Sequence, residues 1–166
     1  ARDQHLPAIA ASPQFNLAAI VGPEGMAGVP RFDTVADMAR SGLPVEAVVI
    51  STPPQVRAAI AHAAIDAGMH VMLEKLPAVD VDELEGIRRH ASERTVSLFT
   101  AWHSQFAPCV EEMRLWLTDR RLTAGRVTWR EDAHKWHPGQ HWLWQPGGPG
   151  VFDCGINAFA ILTRTI

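Results

Sequence analysis

Four short apolar runs, alternating with helical patterns, constrain this chain more than any single motif. Residues 17–21, 47–50, 71–73 and 96–101 are dominated by Val, Ile, Leu, Met, Phe and Ala, and none is long enough for a helix. Between and around them lie stretches with helical periodicity: 2–12, 34–41, 55–67, 80–92 and 106–117. Leu6, Ile9 and Ala10 share a face of the first, and Pro13 follows its end. Thr34 caps the second, Asp37 completes a capping-box-like pair, and Gly42 stops it. The third is alanine-rich and closes at Gly68. Val81, Leu84, Ile87 and Ala91 form the apolar face of the fourth, and Val110, Met113 and Leu117 that of the fifth. Short apolar strands separated by helices predict an α/β fold, a doubly wound parallel sheet with both faces covered. Residues 125–130 alternate as a further, half-exposed strand.

In such sheets ligands bind beyond the carboxyl ends of the strands. Those ends here are Gly22-Pro23-Glu24, Ser51-Thr52-Pro53-Pro54 and Glu74-Lys75-Leu76-Pro77. Lys75 directly follows a buried run, which directs it to the crevice rather than the outer surface.

The stretch Gly147-Gly148-Pro149-Gly150-Val151-Phe152-Asp153-Cys154-Gly155-Ile156-Asn157 is the most distinctive. Its glycines and proline exclude a helix at first, and an apolar run follows. A helix starting near Val151 puts Asp153 and Asn157 on one face, because a spacing of four returns to within about 40°. Gly155 between them leaves room for a ligand or cofactor ring. Two readings stand on spacing alone: a catalytic carboxylate, or a first-turn Asp favoured by the helix dipole. Residues 131–145 form a long segment rich in Trp, His and Pro, a composition that argues against disorder.

With 47% hydrophobic residues, 20% charged residues and a net charge of -3, the chain is an ordinary globular sequence. It has no basic run for nucleic acid or an anionic membrane, and no transmembrane-length apolar run or signal pattern. Cys109 and Cys154 lack metal-type spacing and fit a reducing, cytoplasmic setting. The first residue is not Met, and 159–166 is apolar without a stop signal, so a piece of a longer protein is expected.

Thr52-Pro53-Pro54, Glu74-Lys75-Leu76-Pro77 and Asp153-Cys154-Gly155-Ile156-Asn157, in that order, resemble the glucose–fructose oxidoreductase/inositol dehydrogenase/MocA (Gfo/Idh/MocA) family. Trp102-His103-Ser104-Gln105-Phe106-Ala107-Pro108, Val127-Thr128-Trp129-Arg130-Glu131-Asp132 and Trp136-His137-Pro138-Gly139-Gln140 are similar to its aldose 1-dehydrogenase branch, acting on D-galactose or L-arabinose. The resemblance implies oxidation of an aldose at C1 to the lactone, with hydride passing to NAD or NADP. It implies a Rossmann-like dinucleotide-binding domain over 1–101 and an open-sheet α/β substrate domain over 102–166, with homo-oligomer contact through the second sheet. The family's Gly-rich fingerprint and first strand are expected before Ala1. Leu76 interrupts the usual Glu-Lys-Pro, and Asn157 stands where many members have His. Gly22-Pro23-Glu24 supplies neither the Asp of an NAD site nor an Arg for a 2′-phosphate, and the missing Arg leans toward NAD.

Under the same resemblance, Asp153 is the base that takes the anomeric hydroxyl proton. Lys75 orients the substrate and keeps Asp153 ionised, and Asn157 bonds a sugar oxygen. Thr52, Pro53 and Pro54 line the nicotinamide ribose, and Glu74 with Lys75 its ring edge. His103, Glu131, His137 and Trp136 are candidate sugar contacts. Trp129, Trp142 and Trp144 are further stacking candidates, although packing is the commoner role of any one tryptophan. No metal is assigned.

Two alternatives compete. His134, His137 and His141, with Glu131, Asp132 or Asp153, offer zinc-type donors for a hydrolase. Pro138 and Gly139 interrupt them, so no helix presents them at regular spacing. The other alternative is a non-catalytic sugar- or partner-binding relative.

Overall fold

The computed structural model describes residues 3–166. The helix expected over 2–12 is α1, His5–Ala11; Arg2 lies outside the described residues. Next come β1 (Ile20–Val21) and β2 (Arg31–Phe32), paired in parallel. β2 was not expected, since two residues carry no periodicity. Arg31 holds the turn by donating from Nη1 to the Gly22 carbonyl at 2.6 Å and to Asp33 at 2.7 Å. α2 is Val35–Arg40, capped by Thr34, whose hydroxyl oxygen accepts from the Asp37 amide at 3.0 Å.

β3 (Ala47–Ile50), α3 (Pro54–Asp66), β4 (His70–Leu73), α4 (Val81–Glu93) and β5 (Leu98–Thr100) follow in the expected alternation. The three strands form one parallel sheet in the order β3-β4-β5. Proline at N1 starts α3 and Asp80 caps α4, its side chain accepting from the Glu83 amide at 2.8 Å. Ile50, Val71 and Leu73 point from the sheet into a core closed by Ala61, Ala64 and Ile65 of α3 and Ile87 and Ala91 of α4. The alanines let α3 approach closely. Each of Ile65, Leu73 and Ile87, fully buried, contributes about 1.5–3 kcal/mol.

The register sets Val49, Met72 and Phe99 in one row on the opposite face. That face is open among the described residues, with Phe99 55% exposed. The expected cover on both faces is therefore present on one only, because α3 and α4 pack against the same side. The two βαβ crossovers alone supply no second layer.

Arg57 of α3 ties the strand ends together. It is 2% exposed and donates to the carbonyls of Thr52, Glu74 and Leu76. Burial pushes its guanidinium down to about 10, against the raising effect of Glu74, so it stays charged at neutral pH. The Lys75–Leu76 peptide bond is cis.

Beyond β5 a 3₁₀ turn (His103–Phe106) leads into α5 (Pro108–Leu117). The helix expected from 106 begins at Pro108, which occupies N1. The strand expected at 125–130 does not form. A strand exists only as a member of a ladder, and no described strand lies beside this segment. The Trp/His segment contains α6 (Ala133–Trp136) and a second 3₁₀ turn (His141–Trp144). α7 (Phe152–Thr165) closes the described chain against α5 and the first 3₁₀ turn.

The glycine loop before α7 is a close backbone approach. A Cβ on Gly148 would sit 2.2 Å from the Trp142 carbonyl oxygen and 2.6 Å from that of Leu143. The Gly148 and Gly150 amides donate to the carbonyls of Gln145 and Leu143, each at 2.8 Å. Gln55 of α3 donates from Nε2 to the Trp142 carbonyl at 3.0 Å, joining this loop to the end of β3. At Gly155, by contrast, an added Cβ meets no heavy atom within 4 Å.

Two stability outcomes follow, measured by urea unfolding. Arg57→Ala strands three carbonyls at buried strand ends and costs about 3 kcal/mol or more; a loss below ~1 kcal/mol contradicts its role. Gly148→Ala costs about 2 kcal/mol or more by overpacking, while Gly155→Ala is neutral or stabilising by ~0.5–1 kcal/mol.

Candidate active site

Lys75 and Asp153 meet across 78 residues of sequence. Lys75 leaves the end of β4, as its position after a buried strand predicts. Asp153 stands in the first turn of α7, lifted there by the glycine loop. Lys75 Nζ donates to Asp153 Oδ1 and to the Asp153 backbone carbonyl, each at 2.9 Å. The side chains are 15% and 10% exposed, so the pair is largely withdrawn from water. Their attraction offsets part of the cost of withdrawing both groups from water.

The second carboxylate oxygen is different. Asp153 Oδ2 is buried and has no hydrogen-bond partner. His137 Nε2 lies 2.9 Å away, close enough for an ion pair but without hydrogen-bond alignment. His137 Nδ1 faces Gln140 Oε1 at 3.3 Å. Glu131 completes the cluster, and Trp129 Nε1 donates to its Oε1 at 2.6 Å.

Asn157, one turn beyond Asp153 and also buried, accepts at Oδ1 from the Ser104 hydroxyl at 2.9 Å. Its amide NH₂ is thereby turned away from Ser104. A Cβ at Gly155 would meet no heavy atom within 4 Å, but two residues along a helix is about 200° of rotation, so this open space lies on the face away from Asp153 and Asn157 and not, as expected, beside them. His103 is only weakly engaged, with Nδ1 3.4 Å from the Ser104 hydroxyl. Trp136 is exposed and carries Lys135 Nζ 5.0 Å from its ring centroid.

On the cofactor side, Thr52 Oγ1 and Gln55 Oε1 are buried without hydrogen-bond partners at the carboxyl end of β3. Unmet buried polar oxygens at a strand end fit a ligand that brings its own hydroxyls. Glu74 is fixed instead: Oε1 lies 2.7 Å from His5 Nε2 of α1, and Oε2 accepts the Lys75 amide at 3.1 Å.

The metal-type alternative changes shape. Among the described residues, His134 and His141 do not join His137 in a ligand group. The donors that do gather are Glu131, His137 and Asp153, within 4.8 Å of one another. The Lys75 ammonium already sits on Asp153, so a divalent ion on that carboxylate would face a cation at short range.

Several contacts were not visible in the sequence. Ser104 to Asn157 and His5 to Glu74 join residues whose partners are set only by tertiary packing, and His137 to Gln140 is a local contact inside an irregular segment. Arg57 gave a faint signal, as a charge among alanines on a helix otherwise built for burial.

The sequence-family model for oxidoreductases with an NAD-binding Rossmann fold, GFO/IDH/MocA, matches residues 1–101. A galactose 1-dehydrogenase of Pseudomonas fluorescens is 40% identical over 168 aligned residues, covering all of this chain and 54% of the relative. The crystal structure of a D-galactose-1-dehydrogenase from Rhizobium etli superposes with TM-score 0.93 at 40% identity, over 99% of this chain and 54% of that one. The structure of GenD2 from gentamicin A biosynthesis, in complex with NAD, superposes with TM-score 0.75 at 21% identity, over 96% of this chain and 50% of that one, and shows the shared fold. The chain thus spans about half the length of the relatives it matches. No described helix is long and apolar enough to cross a membrane. By its family match, its parallel βαβ core and its strand-end residues, the chain belongs to the Gfo/Idh/MocA family of oxidoreductases with an NAD-binding Rossmann fold.

Proposed function

We propose that the protein oxidises an aldopyranose of the galactose or arabinose type at C1 to the aldonolactone, with NAD or NADP as hydride acceptor. The observation that carries this reading is the buried Lys75–Asp153 pair, which engages one carboxylate oxygen and leaves Oδ2 unmet. A base needs an acceptor not already taken by a hydrogen bond, and Oδ2 has none. The 40% identity to galactose 1-dehydrogenases supports the sugar class.

Asp153 Oδ2 accepts the proton of the anomeric hydroxyl as C1 becomes a carbonyl. Lys75 fixes the carboxylate through its double contact with Oδ1 and the backbone carbonyl. Asn157, turned by Ser104, offers its NH₂ to a sugar oxygen. Glu131, His137, Trp136 and His103 form the sugar side of the site. Thr52, Pro53 and Pro54 would hold the ribose next to the nicotinamide, and Glu74 with Lys75 its ring edge. Bound nicotinamide would supply the hydride acceptor.

The test follows reduced-nicotinamide absorbance in the complete protein, with a panel of aldoses and both cofactors in parallel. Reduction with galactose or arabinose is expected, and none with any aldose would overturn the assignment. Asp153→Asn is expected to lower kcat by about 10²–10⁴ while leaving the sugar KM within a few-fold. Retained turnover would remove Asp153 from the base role.

A further inference from the structure

Lys75 is aimed at Asp153 by a turn whose backbone is held at its carbonyls and at its amide. Arg57 donates to the carbonyls of Glu74 and Leu76, on either side of Lys75. The Lys75 amide donates to Glu74 Oε2 at 3.1 Å. That bond depends on a side chain, and a glutamate at a strand end changes rotamer unless something holds it. His5 holds it: Nε2 lies 2.7 Å from Glu74 Oε1, across 69 residues of sequence.

Chemistry settles the direction of this bond. A carboxylate has lone pairs and no proton to give, so Nε2 is the donor. Unlike an amide, a carboxylate presents an acceptor whichever way it is turned. A neutral ring protonated at Nε2 and a doubly protonated ring both make the bond. The two side chains are 18% and 24% exposed, so the bond is partly withdrawn from water, where a charge-assisted contact is stronger. His5 opens α1, a helix that buries none of its residues fully. Its apolar packing is shallow, and the polar bond at its first turn fixes where it sits over the end of β4.

The contacts form one chain: His5 to Glu74, Glu74 to the Lys75 amide, and Lys75 Nζ to Asp153. We infer that His5 is a positioning residue for the base: through Glu74 it sets the backbone direction from which Lys75 reaches Asp153. Its effect on turnover rests on the C1-oxidation reading above; its effect on Lys75 rests on geometry alone. Without His5, Glu74 is free to turn to water and the Lys75 amide loses a fixed acceptor. Nζ then no longer holds Asp153 Oδ1 and the Asp153 carbonyl together. His5 acts through Glu74, not on the reacting atoms.

The test is His5→Leu in the complete protein, beside His5→Gln, whose side-chain NH₂ can donate to the same oxygen. His5→Leu is expected to lower kcat about 10–100-fold with the sugar KM little changed, because a small misplacement of a catalytic pair is costly. His5→Gln is expected to recover most of that loss. Wild-type kcat in His5→Leu, or an equal loss in both variants, would overturn the inference. A readout independent of activity is the rate at which an amine-reactive reagent modifies Lys75, followed by mass spectrometry without cofactor. Lys75, paired and 15% exposed, is shielded in the wild type. Lys135, the other lysine of this chain and an exposed one, is the internal reference. Lys75 is expected to react several-fold faster relative to Lys135 in His5→Leu, and at the wild-type ratio in His5→Gln. An unchanged ratio in His5→Leu would overturn the inference. If His5→Leu does not fold, Glu74→Met removes both acceptors and is expected to free Lys75 in the same way; an unchanged ratio there would also overturn it. If the wild-type protein oxidises no aldose, the reaction assignment fails, while the Lys75 ratio still decides whether His5 positions Lys75.

Discussion

The buried ion pair between Lys75 and Asp153 is the constraint on which the rest of the site depends. Each residue comes from a different part of the fold, one from a strand end and one from a helix start, and each alone would be costly to bury. Together, with the Asp153 carbonyl as a second acceptor, they fix one carboxylate oxygen and leave the other buried without a hydrogen-bond partner. Such a pair contributes little net stability, because desolvation offsets most of the attraction. Its value lies in geometry: it sets the direction in which the remaining oxygen can act.

Two devices hold the pair in register. Arg57 collects carbonyls from the ends of β3 and β4, so the turn carrying Lys75 is tied to the helix behind it. The glycine loop lets the backbone of Gly148 lie on the carbonyls of Trp142 and Leu143, which aims the start of α7 at Lys75. Gln55 links the two, since it leaves α3 near Arg57 and bonds the Trp142 carbonyl. The site is thus assembled from strand-end turns and a helix terminus, where backbone groups remain free to be organised by side chains.

The alternation of strands and helices was legible because parallel strands buried by helices read as short apolar runs, and β3, α3, β4 and α4 lie close to where periodicity and capping residues place them. Lys75 was legible from its place after a strand, and Asp153 with Asn157 from a helical spacing of four. The short pair of β1 with β2 was only half visible, because two residues carry no period. The strand at 125–130 was misread, since alternation marks a surface suited to a ladder but cannot supply the partner strand. The contact of His137 with Asp153 brings an irregular segment onto α7, and an irregular segment has no period from which its direction could be read.

The central claim is that Asp153 Oδ2 faces the anomeric oxygen of a sugar. The most direct measurement is a crystal structure of the complete protein with nicotinamide cofactor and the aldonolactone product or a non-reacting sugar analogue. The account predicts the C1-side oxygen within about 3.2 Å of Asp153 Oδ2, with Lys75 still on Oδ1. A sugar seated elsewhere, or a carboxylate turned so that Lys75 takes both oxygens, would contradict it.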